Sequence, residues 1–154
     1  MDIEARLQRL EAVEAICRLK HRYFNACDLH ELNTVRECFA PGPVSIDYEG
    51  VGKFTSVDEL LACFEVLMQH PHMRHSHHGA NPEIRLVDSR HAIGRWALSY
   101  FGLDTRTGAT LRMGMIYDDE YLDCDGSWRI VSTRTRVILA VPGQAEAPNA
   151  EART

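Results

Sequence analysis

The chain has 154 residues, 45% of them hydrophobic, with 17 Lys and Arg against 22 Asp and Glu and a formal net charge of −5. That length suits one domain with one core, and the cations are scattered rather than massed, which argues against a nucleic-acid surface. The start, Met1-Asp2-Ile3-Glu4-Ala5-Arg6, lacks the basic opening and apolar run of a signal peptide, and no apolar stretch is long enough to cross a bilayer.

The first element is a long helix. Leu7, Leu10, Val13, Ile16, Cys17, Leu19, Tyr23, Phe24 and Cys27 recur at three- and four-residue steps, the spacing of one apolar stripe. Asp28 falls at its end. A shorter helix over 31–39 turns Leu32, Val35, Cys38 and Phe39 inward, and Pro41-Gly42-Pro43 stops it. Val44, Ile46 and Tyr48 alternate with Ser45, Asp47 and Glu49, a strand pattern. Ser56 with Glu59 forms a capping-box signature for a third helix, which ends before Pro71.

Strand candidates follow at 74–78, 83–87, 91–103, 111–122 and 128–141, with His77 near the opening of this β region. Asp125-Gly126 suits a tight hairpin turn, and 105–108 is a second turn. Residues 1–141 read as a single domain. The stretch 142–154, rich in Ala, Pro, Glu and Gly, has the composition of a disordered tail. Helices followed by long antiparallel strands indicate an α+β domain. A strongly bent, mixed but mainly antiparallel sheet wrapped around the first helix would enclose a cone-shaped cavity.

The five cysteines, Cys17, Cys27, Cys38, Cys63 and Cys124, are odd in number and form no Cys-x-x-Cys pair. They read as buried free thiols, which with the absence of an export signal fits a reducing cytoplasm.

Several segments resemble the SnoaL-like branch of the nuclear transport factor 2-like superfamily. They are Val13-Glu14-Ala15-Ile16-Cys17-Arg18-Leu19-Lys20-His21-Arg22-Tyr23-Phe24 with Asp28, then Gly94-Arg95-Trp96, then Gly114-Met115-Ile116-Tyr117-Asp118-Asp119-Glu120-Tyr121 and Asp125-Gly126-Ser127-Trp128-Arg129-Ile130. The resemblance covers roughly residues 7–137 and implies a cone-shaped α+β barrel. Within that branch the chain is most similar to the bile-acid 7α-dehydratase family and next to hexachlorocyclohexane dehydrochlorinase. Both use an Asp–His pair for elimination, and the resemblance places that pair on Asp28 and His77. It places the dehydratase family's helix tyrosine on Tyr23 and its first-strand tyrosine on Tyr48. An arginine on the last strand is also implied, with Arg136 the candidate beside Arg134. These lyases are commonly trimers, which implies a homo-oligomer.

The residues admit blander readings. Asp28 suits a helix stop or a turn. His77 lies in a histidine-rich stretch with His70, His72, His75 and His78. His75 and His77 share a strand face, but no clear third metal ligand accompanies them. Alternation lets only one of His77 and His78 enter a cavity. Tyr23 and Tyr48 could be core aromatics. On the last strand, alternation groups Ile130, Ser132, Arg134, Arg136 and Ile138 on one face, and Val131, Thr133, Thr135, Val137 and Leu139 on the other. The arginines then bind an oxyanion or face solvent. Leu111, Met113, Met115, Tyr117 and Tyr121 read as core or subunit interface.

The expected function is a lyase, of dehydratase or dehydrohalogenase type, acting on a small hydrophobic alicyclic or aromatic molecule. A carboxylate holding an imidazole in a sheltered cavity is a general base fitted to neutral pH. His77 would take the proton and Asp28 would hold its tautomer. Tyr23, with Tyr48 or Arg136, would steady negative charge on oxygen. No cofactor or metal is implied, because no Gly-rich phosphate loop or convincing metal cluster occurs. The same pair could serve an isomerase or a polyketide-type cyclase. Other readings are a non-catalytic binder of a small apolar molecule and a subunit like the small subunits of ring-hydroxylating oxygenases. No nucleic-acid or membrane partner is expected.

Overall fold

The computed structural model describes residues 2–145. Its elements in chain order are α1 (Ile3–Leu29), α2 (Leu32–Glu37), β1 (Ser45–Tyr48), β2 (Gly52–Phe54), α3 (Val57–Met68), β3 (Met73–Leu86), β4 (His91–Asp104), β5 (Ala109–Asp123) and β6 (Trp128–Gln144). The strands form one six-stranded sheet in the order β2-β1-β6-β5-β4-β3. β1 runs parallel to β6, and every other pairing is antiparallel. The sheet curves around α1 but does not close, since β2 and β3 remain its edges. The expected barrel is therefore an open cone. Among the described residues no helix is long and apolar enough to cross a membrane.

The ends of the helices follow their sequence signals. Asp2 caps α1 by accepting from the Ala5 amide at 2.8 Å. His30, in the left-handed region at φ 60°, ends it. The Ser56–Glu59 capping box of α3 is present in both directions. Asp125 and Gly126 both have positive φ, as the tight turn requires.

Three features differ from the sequence reading. First, Leu7 and Leu10 are exposed, because the first turns of α1 run past the sheet. The buried part of the stripe begins at Ile16. Second, the segments 74–78 and 83–87 belong to one strand. β3 is bent by an extra residue between Ala80 and Glu83, where Asn81 takes a φ of 51°, so His77 lies well inside the strand. Pro82 is tolerated there because β3 is an edge. Third, β6 does not alternate strictly. An extra residue between the Glu120–Ser132 and Tyr121–Ile130 pairs lets Ile130 be buried along with Thr133 and Thr135. A bulge re-aims side chains in this way. β6 also runs on to Gln144, which takes 142–144 out of the expected tail; 146–154 lie outside the described residues.

α1 lies in the hollow of the sheet. Ile16, Leu19, Tyr23 and Phe24 pack with Trp96 and Leu98 of β4, Tyr117 and Tyr121 of β5, and Ile130 of β6. Inside this apolar layer is a charged pair. Lys20 Nζ stands 2.6 Å from Asp119 Oδ2, and both side chains are fully buried. Asp119 also accepts from the Tyr121 hydroxyl at 2.7 Å, and that oxygen accepts from Trp96 Nε1 at 2.9 Å. Burial pulls the Lys20 amine below its usual range, opposed by Asp119. The ammonium also lies 3.9 Å from the centre of the Tyr117 ring, a cation–π contact in a dry setting.

Removing one member of a buried pair leaves a naked charge. Lys20→Met is expected to lose about 3–5 kcal/mol in urea denaturation, and the double variant Lys20→Met/Asp119→Leu to recover most of it.

Candidate active site

α1 ends over the cavity with Tyr23, Cys27 and His30 facing it, and β3 contributes His75 and His77 from the edge of the sheet. The cavity holds about 200 Å³, roughly seven liquid waters, which is room for one or two rings. Its walls are mostly apolar. Leu98 comes from β4, Met113, Met115 and Tyr117 from β5, and Phe64, Leu67 and Met68 from α3. Met113, Met115 and Tyr117 of β5 therefore line the cavity, while Tyr121 is buried in the core.

The structure brings Asp28 and His77 together. Asp28 Oδ1 lies 2.5 Å from His77 Nδ1, and Oδ2 accepts from the His77 backbone amide at 2.9 Å. The carboxylate is acceptor-only when ionised, so the proton of this bond belongs to Nδ1 and the lone pair to Nε2. That tautomer leaves Nε2 as the ring nitrogen free to act in the cavity. The two side chains are 23% and 19% exposed, sheltered but reachable. Asp28 sits in the last turn of α1, which carries no basic residue. A carboxylate is electrostatically disfavoured at that negative helix end. Its two contacts to His77 offset that cost, so this acid does more than stop a helix.

The ring of His77 is held on both flanks. Phe24 stacks on it with an 8° interplanar angle and 6.1 Å between centroids. Tyr100 meets it nearly edge-on at 5.1 Å. Gly79 makes the stacking possible, since a Cβ there would overlap the edge of the Phe24 ring.

Tyr23 and Tyr48 also come together. Their hydroxyls are 2.6 Å apart and buried, so one donates to the other and the second keeps an O–H to give, with the Thr133 hydroxyl beside Tyr48 and the Cys27 thiol beside Tyr23. Burial pushes both phenols well above the usual range, which keeps them protonated as donors. The turn and a half of helix between Tyr23 and Asp28 does not keep them from one site, because both elements they meet, β1 and β3, border the same hollow.

Arg136 is the exception. Its Nη2 reaches Asp118 Oδ2 at 3.2 Å, and Asp118 is also paired with Arg95. Arg134 leans toward Asp47. Both arginines are exposed, and the neighbour that lines the cavity is Thr135. The last strand presents its threonine face inward because those residues pack under α1.

Three residues of consequence, Lys20, Asp119 and Tyr100, escaped the sequence reading, and a fourth, His75, was weighed there only as a metal ligand. Lys20 and Asp119 carry a recognisable signal: each is a charged residue on an otherwise apolar face, on α1 and between Tyr117 and Tyr121. His75 and Tyr100 carry none, since their meeting depends on strand register. Cys27 borders the cavity, but burial raises its thiol to about 12, so it is no thiolate nucleophile near neutral pH.

Residues 8–134 match the SnoaL-like domain, and the chain belongs to that family. Among solved structures it is similar to a type 2 hexachlorocyclohexane dehydrochlorinase, LinA, with 18% identity over 94% of this chain and 98% of that one, at a TM-score of 0.82. The type 3 enzyme from Novosphingobium barchaimii gives 19% identity, 92% and 98% coverage, and a TM-score of 0.80. A putative scytalone dehydratase from Novosphingobium aromaticivorans gives 20% identity, 96% and 97% coverage, and a TM-score of 0.80. At these identities the likeness concerns the nuclear transport factor 2-like fold.

Gly79→Ala is expected to displace Phe24 from His77 and lower stability by about 1–3 kcal/mol. Thermal denaturation and the His77 ring signals in NMR check this, and shortening Phe24 to Leu in the same background is expected to restore part of the loss.

Proposed function

We propose that this SnoaL-like chain is a lyase that removes water or another small leaving group from a hydrophobic ring of one or two cycles. One observation carries the reading: His77 is fixed by Asp28 through Nδ1, its Nε2 is left free, and the apolar cavity beside it is also lined by Tyr23 and Tyr48, whose hydroxyls meet. This arrangement fits proton abstraction from carbon next to an oxygen that gains charge.

In the proposed step, His77 Nε2 takes a proton from a ring carbon beside a carbonyl. The electrons of that C–H bond move toward the carbonyl oxygen, where the remaining O–H of the tyrosine pair stabilises them. They return to form the carbon–carbon double bond as the leaving group on the next carbon departs with its bonding pair. A leaving hydroxyl collects the proton from His77 and departs as water. A leaving halide takes only its bonding pair, and the proton passes from His77 to solvent. Asp28 holds the tautomer with its proton on Nδ1 before the step and balances the imidazolium after it. The chemistry draws on acid–base groups of the chain alone. Both dehydrochlorinase structures carry names consistent with elimination, as does the putative dehydratase.

The test is turnover of cyclic β-hydroxy and β-halo ketones. His77→Ala is expected to lose about three orders of magnitude or more in kcat, Asp28→Asn roughly two to four, and Tyr23→Phe or Tyr48→Phe about one to three. Wild-type rates in His77→Ala or Asp28→Asn would remove the pair from the mechanism. Ligand binding with no turnover in the parent protein would identify a binding module instead.

A further inference from the structure

The cavity holds a second polar station that the proposed chemistry leaves unused. In the β3–β4 ladder, Tyr100 stands directly across from His77, and Gly102 directly across from His75. Tyr100 and Gly102 are two apart on β4, so both point to the same side. The phenol lies along its own strand above Gly102. It lies so close that a Cβ on Gly102 would be 2.8 Å from the hydroxyl oxygen. The missing side chain at 102 thus lets the hydroxyl reach His75, whose Nδ1 is 2.6 Å away. Both His75 and Tyr100 line the cavity.

Their position relative to the base is informative. Tyr23 meets Phe24 with 5.6 Å between centroids. Phe24 then meets His77, and His77 meets Tyr100. The base therefore touches Tyr100 directly and reaches Tyr23 only through Phe24, so the two hydroxyl-bearing stations are separate. The Tyr100 ring flanks His77, but its hydroxyl takes no part in that, since it bonds His75 and Asp28 already takes both the Nδ1 and the backbone amide of His77. A polar pair in an apolar wall loses hydration, and a phenol bonded to one imidazole nitrogen keeps a further hydrogen-bonding site. Burial draws His75 below the ordinary imidazole range and Tyr100 above the ordinary phenol range, so both are neutral around pH 7. A guest hydroxyl satisfies either tautomer of the pair, because it both donates and accepts.

We propose that Tyr100 and His75 form a specificity-determining site that binds a second oxygen substituent, a hydroxyl, apart from the oxygen held by Tyr23 and Tyr48. The substrate then carries, besides its ketone and its leaving group, a further hydroxyl that stays on the ring. The placement of the reacting carbon rests on the lyase reading, but the second station is measured by binding alone.

The experiment is isothermal titration calorimetry with α-tetralone and with α-tetralones hydroxylated at different carbons of the aromatic ring. It uses the parent protein, Tyr100→Phe and Gly102→Ala, each verified as folded by circular dichroism. At least one hydroxylated ketone is expected to bind the parent about ten-fold tighter than α-tetralone. In both variants that advantage is expected to shrink to within about two-fold, while affinity for α-tetralone stays within about three-fold. Equal affinities in the parent, binding by none of the hydroxylated ketones, or a preference that survives Tyr100→Phe would each overturn the proposal. Turnover is not read here, so an active His77→Ala variant would end the lyase reading and leave this result standing.

Discussion

The placement of α1 in the sheet depends on one buried contact, between Lys20 and Asp119. Apolar packing alone would allow the helix to slide or turn by part of a step, since many registers bury similar area. A charge with no solvent to fall back on does not allow this. Once Lys20 is fixed over β5, Tyr23 and Phe24 follow one turn later and Cys27 and Asp28 after a second turn, on the same side of the helix. Trp96 and Tyr121 extend the contact through β4 and β5. Such a pair adds little net stability compared with an apolar replacement. Its contribution in this fold is position.

Position matters because the site is assembled from parts far apart in sequence. Asp28 comes from a helix end, His77 from an edge strand, Tyr48 from a short strand that joins the sheet in parallel beside β6, and Tyr100 from the strand next to β3. Each part carries some local cost. Asp28 sits at the unfavourable end of a helix, Gly79 gives up a side chain to admit a ring, and two phenols are buried against each other. The costs meet at His77, where they set the tautomer and hold the plane of the ring.

The sequence exposed the elements more readily than their meeting points. The stripe of α1, the capping box of α3 and the Asp125-Gly126 turn are local signals, and each appears where its chemistry requires. Asp28, His77, Tyr23 and Tyr48 were found through family resemblance, since spacing alone left each with an ordinary explanation. At Arg136 plain alternation was the better guide: Arg134 and Arg136 share the outer face opposite Thr133 and Thr135, and the extra residue before Ser132 shifts only Ile130 out of that pattern. The buried ion pair was legible in principle, as a lysine and an aspartate each on an apolar face. The Tyr100–His75 contact was not, because it depends on the register of two strands and on a glycine two positions away.

The roof of the cavity differs in character from its floor. α3 anchors itself through Val57, Leu60 and Leu61 in its first half, while Phe64, Leu67 and Met68 in its second half overhang the hollow. Opposite them stand Met113 and Met115. Unbranched thioethers re-pack at small energetic cost, whereas the floor is held by aromatic rings and an ion pair. A guest pressed against this compliant wall meets little resistance to changes in girth, while the atoms near His77 stay put. For the proposed substrates, such a division would admit a range of ring skeletons and be strict only about where their oxygens lie.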